Sequence, residues 1–356
     1  MRYLLRTSYD QDVRLFRDGR PQMLWHLALL VALLVAPAIL PGYLVSLATF
    51  VFIYATAAIG LQILLGFCGQ VSLGQAALVA IGAYACVFLE RVGVPFAFAL
   101  PVAALITAAT GAILFLPVLR LRGLYLAVAT MSLGFIIEEV AARWTSVTGG
   151  NAGVTVPPAR LLGLDVSGDR AFYYLCLAAI VGALALAANV ARAPIGRAMA
   201  GVRDSLIAAQ TMGVHAAGTK TIAFALSALL AGFAGGLYAH KLGYISPEQF
   251  TLSISIELLI MVLIGGLASL RGAVLGAAFI VLVPEVLHEL EGFIPGGSQP
   301  ALRPMVFGLL LVFVMLFEPR GLNGLVEKAT GYLRLLPLYR RGMFKRQRAF
   351  AKSERW

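Results

Sequence analysis

Gly66-Phe67-Cys68-Gly69-Gln70-Val71-Ser72-Leu73-Gly74-Gln75-Ala76 is too apolar for a loop in water and too rich in glycine and amide groups for a helix in lipid. It sits between two long hydrophobic segments. Gln70, Ser72 and Gln75 carry donors and acceptors that hydrocarbon cannot satisfy, so the stretch is expected to line a cavity or a protein interface. Four glycines, Gly60, Gly66, Gly69 and Gly74, favour bending of the backbone there. Something polar is expected to pass this point.

The rest of the chain agrees with a membrane setting. It is 60% hydrophobic and 13% charged, against about 45–50% apolar and about 25% charged in ordinary soluble domains. The mean hydropathy is +0.88. The expected fold is therefore an all-α polytopic membrane protein. Cys68, Cys86 and Cys176 are widely separated inside apolar runs and have no His/Cys partners at metal-ligand spacing, so they read as small buried hydrophobes; no disulfide framework and no metal site is expected.

Windows long enough to approach a bilayer crossing lie at 24–40, 44–66, 71–89, 95–119, 123–142, 171–190, 221–239, 252–270, 272–290 and 303–318. A span takes roughly 20 mostly apolar residues, and tilt accommodates shorter ones. About ten crossings follow, with both termini on one side. With the N-terminus inside, the inner segments hold 5 Lys/Arg in 1–23, 2 at Arg120 and Arg122, 4 in 191–220, 1 at Arg271 and 10 in 319–356, which is 22 of the 28. Cytoplasmic loops carry the excess of Lys and Arg, so the expectation is N-in and C-in. A re-entrant hairpin at 66–89 would reverse every later loop and put the basic C-terminus outside. The organisation is thus a cytoplasmic segment 1–23, a transmembrane domain 24–318, and a basic cytoplasmic tail 319–356. The +11 formal charge is mostly an orientation signal, and the tail's natural partner is anionic lipid headgroups rather than nucleic acid.

Two connectors exceed simple turns. The outer loop 143–170 carries Thr148-Gly149-Gly150-Asn151 and Pro157-Pro158, and is either a small packed lid or a plain linker. In the inner loop 191–220, Met199, Val202, Leu206, Ala209 and Met212 recur at helical spacing, with Gly213 closing the helix and Arg203 and Asp204 off the apolar stripe. Such a helix either lies on lipid or docks a cytosolic partner.

Gly60-Leu61-Gln62-Ile63-Leu64-Leu65-Gly66, Gly69-Gln70-Val71-Ser72-Leu73-Gly74-Gln75-Ala76-Ala77 and Ile81-Gly82-Ala83-Tyr84 together resemble the permease subunits of branched-chain amino acid ABC importers, specifically the LivM type. The likeness continues through Thr148-Gly149-Gly150, Ala225-Leu226-Ser227-Ala228, and Ser255-Ile256-Glu257-Leu258-Leu259-Ile260-Met261-Val262 with Gly265-Gly266. It covers roughly residues 45–320. The resemblance implies that Arg203, Asp204, Ala208, Ala209 and Gly213 belong to a coupling helix against a cytosolic ATPase, with Ile207 where the family pattern has glutamate. It also implies a homologous second permease, two ABC ATPases and a periplasmic solute-binding protein, the last touching Thr148, Gly149, Gly150 and Asn151. The chain binds no cofactor itself, and ATP belongs to the partners: the nearest phosphate-loop string, Gly213 to Thr221, has Thr219 where a lysine must follow the glycine.

The implied substrates are leucine, isoleucine and valine, or related hydrophobic amino acids, moved across the inner membrane. Urea or short amides are the alternative cargo. Gln70, Ser72, Gly74, Gln75, Tyr84, Thr130 and Ser132 suit the sparse polar contacts of a translocation path, and suit helix packing equally well. An ion-coupled secondary transporter would place an ionisable residue deep in the membrane; Glu138, Glu139, Glu257 and Glu285 read as lying toward the outer ends of their segments. An enzyme is not expected, because no nucleophile, acid pair or zinc helix is spaced for chemistry. Gly232-Phe233-Ala234-Gly235-Gly236 and Gly272-Ala273-Val274-Leu275-Gly276 read as close helix packing.

Overall fold

The computed structural model describes residues 19–115, 121, 123–161, 164–291, 308–309, 311–312 and 321–335. Most of the N-terminal segment 1–23, most of the expected crossing 303–318 and the basic tail from 336 lie outside the described residues. The elements are α1 (Gly19–Ile39), α2 (Gly42–Leu61), α3 (Gln75–Arg91), α4 (Phe96–Phe115), α5 (Leu124–Arg143), α6 (Thr145–Thr148), α7 (Asp169–Arg192), α8 (Pro194–Asp204), α9 (Leu206–Thr211), α10 (Ala216–Leu242), α11 (Leu252–Gly265), α12 (Leu270–Glu291) and α13 (Gly321–Leu335). Four two-residue strands, β1 (Val154–Thr155), β2 (Arg160–Leu161), β3 (Leu164–Asp165) and β4 (Tyr244–Ile245), complete the order.

Among the described residues, seven helices are long and apolar enough to cross a membrane. They correspond to seven of the ten expected windows. The other windows differ for local reasons. The window 24–40 corresponds to α1, whose stretch Leu27–Ile39 is apolar. The window 71–89 begins with non-helical chain, so that α3 starts only at Gln75 and runs 17 residues. Among the seven, the window 252–270 ends early, because Gly266 (φ 112°) and Ala268 (φ 60°) turn the chain out of the helix before α12 begins.

The long helix α10 is the centre of the bundle, packed by α2, α3 and α4, while α2 also meets α7 and α12 and α11 lies along α12. In lipid there is little hydrophobic force between helices, so close backbone approach and internal hydrogen bonds carry association. One such close approach is at Gly82, where an added Cβ would stand 2.2 Å from the Gly232 backbone. Both small-residue patterns read from the sequence are used this way, with Gly235 against the Val79 carbonyl and Gly276 against that of Met261. Buried Thr49, Thr56 and Thr107 donate their hydroxyls to the carbonyl four residues earlier, which removes their polar cost.

The bundle has two chemically different ends. One gathers the end of α2, α8, α9, the start of α10, the turn between α11 and α12, and α13. The other is closed by loop 143–170. That loop is a packed lid rather than a plain linker: β1 pairs antiparallel with β4, β2 with β3, and the Tyr244 hydroxyl donates to the Ala152 carbonyl at 2.6 Å.

Candidate translocation and coupling site

The decisive stretch forms a break between α2 and α3. The last turns of α2 widen into a π-helix, Gln62–Phe67, a rare form frequent at functional sites. The Gln62 side-chain amide donates to the Gly266 and Ser269 carbonyls at 3.1 and 3.2 Å, tying this end to the turn between α11 and α12. Gly69 then takes φ +70°, a left-handed conformation that favours glycine, and the chain runs non-helically to Gly74.

The first amides of α3 have no partner inside the helix and must be satisfied from outside. Neighbouring helices supply them. The Leu73 amide donates to the Thr130 hydroxyl of α5 at 3.0 Å, and the Ala76 amide to the Ser255 hydroxyl of α11 at 2.9 Å. The Gln75 side chain donates to the Ser227 hydroxyl of α10 at 3.2 Å, and the Gly74 amide meets the Ser72 hydroxyl. Ser72, Gln75 and Thr130 are fully buried.

Four of the seven path residues read from the sequence, Ser72, Gly74, Gln75 and Thr130, therefore meet at one junction, with Ser227 and Ser255 as members not singled out as path residues, while the Gln70 amide donates locally to the Cys68 carbonyl at 3.4 Å. Tyr84 lies farther along α3, buried against the Phe250 ring, its hydroxyl without a hydrogen-bond partner among the described residues. Ser132 is apart from them: it sits on the exposed face of α5 and donates to its own Val128 carbonyl. The small cavity beside Leu73, Ala76, Gly134 and Ser255 holds about 10 Å³, room for about one water. In this conformation the junction is closed.

The inner-loop segment 199–213 is two short helices, not the single helix expected from the stripe. Ser205 leaves helical geometry (φ −156°, ψ 110°) and its hydroxyl caps the Ala208 amide at the start of α9. The break divides the stripe. Met199, Val202 and Ala209 are buried against the bundle, whereas Met212 turns outward, 87% exposed beside 72%-exposed Ile207. Ala208 is also exposed, and Gly213 closes the segment with φ +82°.

Arg203 bridges the two regions. Its guanidinium donates to the Gly66 carbonyl at 2.8 Å and holds Asp204 at 2.9–3.0 Å. A Cβ on Gly69 would stand 2.7 Å from the Arg203 side chain. Nothing in the spacing of residues 66 and 203 predicts this contact.

At the lid end, Thr148 is buried and its hydroxyl contacts the Ala141 and Trp144 carbonyls while accepting from the Gly150 amide, with Gly149 and Gly150 in the left-handed region. These three shape the loop. Asn151 is exposed. The fold also joins groups that no local spacing connects: His240 Nε2 lies 2.8 Å from the Glu90 carboxylate, both nearly fully buried, with Cys86 beside them. The other ring nitrogen meets the Gly236 carbonyl at 2.8 Å. With Glu90 on α3 and His240 on α10 in contact, this cluster reads as a link between the two helices.

A polytopic helical bundle with a broken, amide-rich hairpin joined to an inward-packed loop defines a membrane permease. The chain matches the family model "Branched-chain amino acid transport system / permease component" over residues 43–315, and belongs to that family. It is 33% identical over 326 residues to the high-affinity branched-chain amino acid transport system permease protein LivM of Salmonella typhimurium, covering 85% of this chain and 75% of that protein. The Escherichia coli K12 LivM gives the same identity and coverage. The family is broader than one cargo: an Enterobacter autoinducer 2 import system permease protein, LsrC, is 26% identical over 87% of this chain and 91% of its own length. No solved structure matches the chain.

Proposed function

We propose that this chain is a permease subunit of an ATP-driven importer of branched-chain amino acids in the cell inner membrane, with about ten crossings and both termini in the cytoplasm. It works with a homologous second permease, two cytosolic ABC ATPases and a periplasmic solute-binding protein. The observation that carries the reading is the Arg203 bridge within a chain of this family. An ATPase pressing on the exposed Ile207–Met212 edge would move Arg203, and with it the Gly66 carbonyl at the root of the broken hairpin. A movement of nucleotide-binding partners thereby reaches the junction of Ser72, Gln75 and Thr130, while loop 143–170 receives the binding protein on the opposite end.

The test is reconstitution. Co-purified with its partners in proteoliposomes, the complex should accumulate radiolabelled leucine on ATP addition, with the binding protein present and no ion gradient. The chain alone should neither hydrolyse ATP nor accumulate leucine. Uptake driven by a proton or sodium gradient without ATP would overturn the proposal, and uptake of urea or acetamide in place of leucine would reassign the cargo.

A second outcome follows for the junction. Cysteines at 72 and 75, in a chain with Cys68, Cys86 and Cys176 replaced by alanine, should be protected from small water-soluble thiol reagents in the closed state. Labelling should rise at least tenfold when the complex is trapped with ATP. Equal protection in both states would make the junction a permanent packing element with no part in transport.

A further inference from the structure

Glu257 does not lie near the outer end of its segment, as the hydropathy window implies. It sits midway along the Pro247–Gly265 span, on the exposed side of α11. The residues around it come from the middles of two other long helices: Tyr54 of the Gly42–Phe67 span and Val281 of α12. The carboxylate is thus at mid-depth of the bundle. No cation or hydrogen-bond donor among the described residues pairs with it within contact distance. A carboxylate facing hydrocarbon at that depth is strongly disfavoured, so this face is turned toward water or a polar solute.

The same face is concave. Glu257 borders a cavity of about 290 Å³ between α2, α11 and α12, close to the lower end of the ~300–1,000 Å³ typical of small-molecule sites. Glu257 and Tyr54 are its polar side chains, and Phe50, Ile260, Met261 and Val281 supply apolar wall. Tyr54 is held by the ring of Tyr238, 6.0 Å away. One anion, one hydroxyl residue and an aliphatic wall is the complement of a small aliphatic molecule bearing an ammonium group. It is much larger than the closed space beside Ser72 and Gln75.

Resting on the importer reading above, we infer that Glu257 receives the ammonium group of the translocated amino acid, with the branched side chain against Ile260, Met261 and Val281. The path then runs along the α2–α11–α12 face, and the glycine-rich junction gates it from the other side of α11 through Ser255. A single carboxylate gives an attractive but shallow site, which suits passage better than retention. It also separates cargo by chemistry: urea and neutral amides lack the cation that this site favours.

The complex in proteoliposomes tests this with three readouts. Glu257→Gln should lower ATP-driven leucine uptake at least tenfold while the chain still co-purifies with its partners, and Glu257→Asp should retain a measurable part. Val281→Cys, in the chain lacking the three native cysteines but keeping Glu257, should react with a small thiol reagent. Leucine should slow that reaction severalfold, and 4-methyl-2-oxopentanoate, which has no amine, should not. Should Glu257→Gln prevent assembly, leucine protection at position 281 decides by itself. An unreactive cysteine, or equal protection by the oxo acid, overturns the assignment. Wild-type complex that imports no branched-chain amino acid defeats the importer reading itself; normal wild-type uptake with unimpaired Glu257→Gln defeats only the role of Glu257.

Discussion

Gly82→Val is expected to prevent stable packing of the bundle. Even the first carbon of a side chain at this position would lie 2.2 Å from both the Cα and the carbonyl oxygen of Gly232, and backbone atoms of two packed helices cannot step aside as a flexible side chain can. Overpacking in a well-packed core costs typically about 1–3 kcal/mol, and an obstruction made by backbone belongs at or above the upper end. The variant should lose its folded yield in detergent, or show a thermal unfolding midpoint many degrees below the wild type. Gly182→Val is the matched control: that glycine sits in the membrane-length helix α7 with open space around it, and its variant should stay within about 0.5 kcal/mol of wild type. Equal tolerance of the two substitutions would mean that α3 and α10 do not cross this closely.

Arg203→Ala is expected to separate ATP hydrolysis from transport. Its hydrogen bond to the Gly66 carbonyl is charge-assisted, a class contributing about 1.5–3 kcal/mol. The Arg203 side chain is 36% exposed, so solvent screens it and the lower end applies. About 1.4 kcal/mol corresponds to tenfold, so amino acid imported per ATP hydrolysed should fall about tenfold while the ATPases still co-purify. Arg203→Lys should recover only part of this, because a lysine cannot reproduce the fork that holds Gly66 and Asp204 together. An unchanged ratio in Arg203→Ala would place the mechanical link elsewhere in the coupling segment.

Part of this was legible in local sequence. Uniformly apolar windows above about 20 residues identify spans because hydrocarbon leaves a helix few alternatives, and seven of those windows are helices of membrane length. The glycines of 66–74 marked the break between α2 and α3, since their lack of a Cβ is what permits it. The polar groups of that stretch pointed to a protein-lined setting, and the structure gives Gln75 the hydroxyl of Ser227 as its partner. Periodicity predicted too much for the coupling loop: apolar spacing alone could not reveal that Ser205 would cap a new helix and turn Met212 away from Met199.

The sequence by itself determined the class, the approximate spans and the positions where the backbone must bend, because each depends on residues within a few turns of one another. Tertiary structure decided what those positions do. Residues 66 and 203, 75 and 227, and 90 and 240 are joined only when the helices assemble, and hydropathy cannot encode partners so far apart. Depth was likewise a property of the assembly: Glu257 belongs to the middle of the bundle because the Pro247–Gly265 span includes the 3-10 turn Pro247–Phe250 before α11 and because α2 and α12 meet it there at their own midpoints.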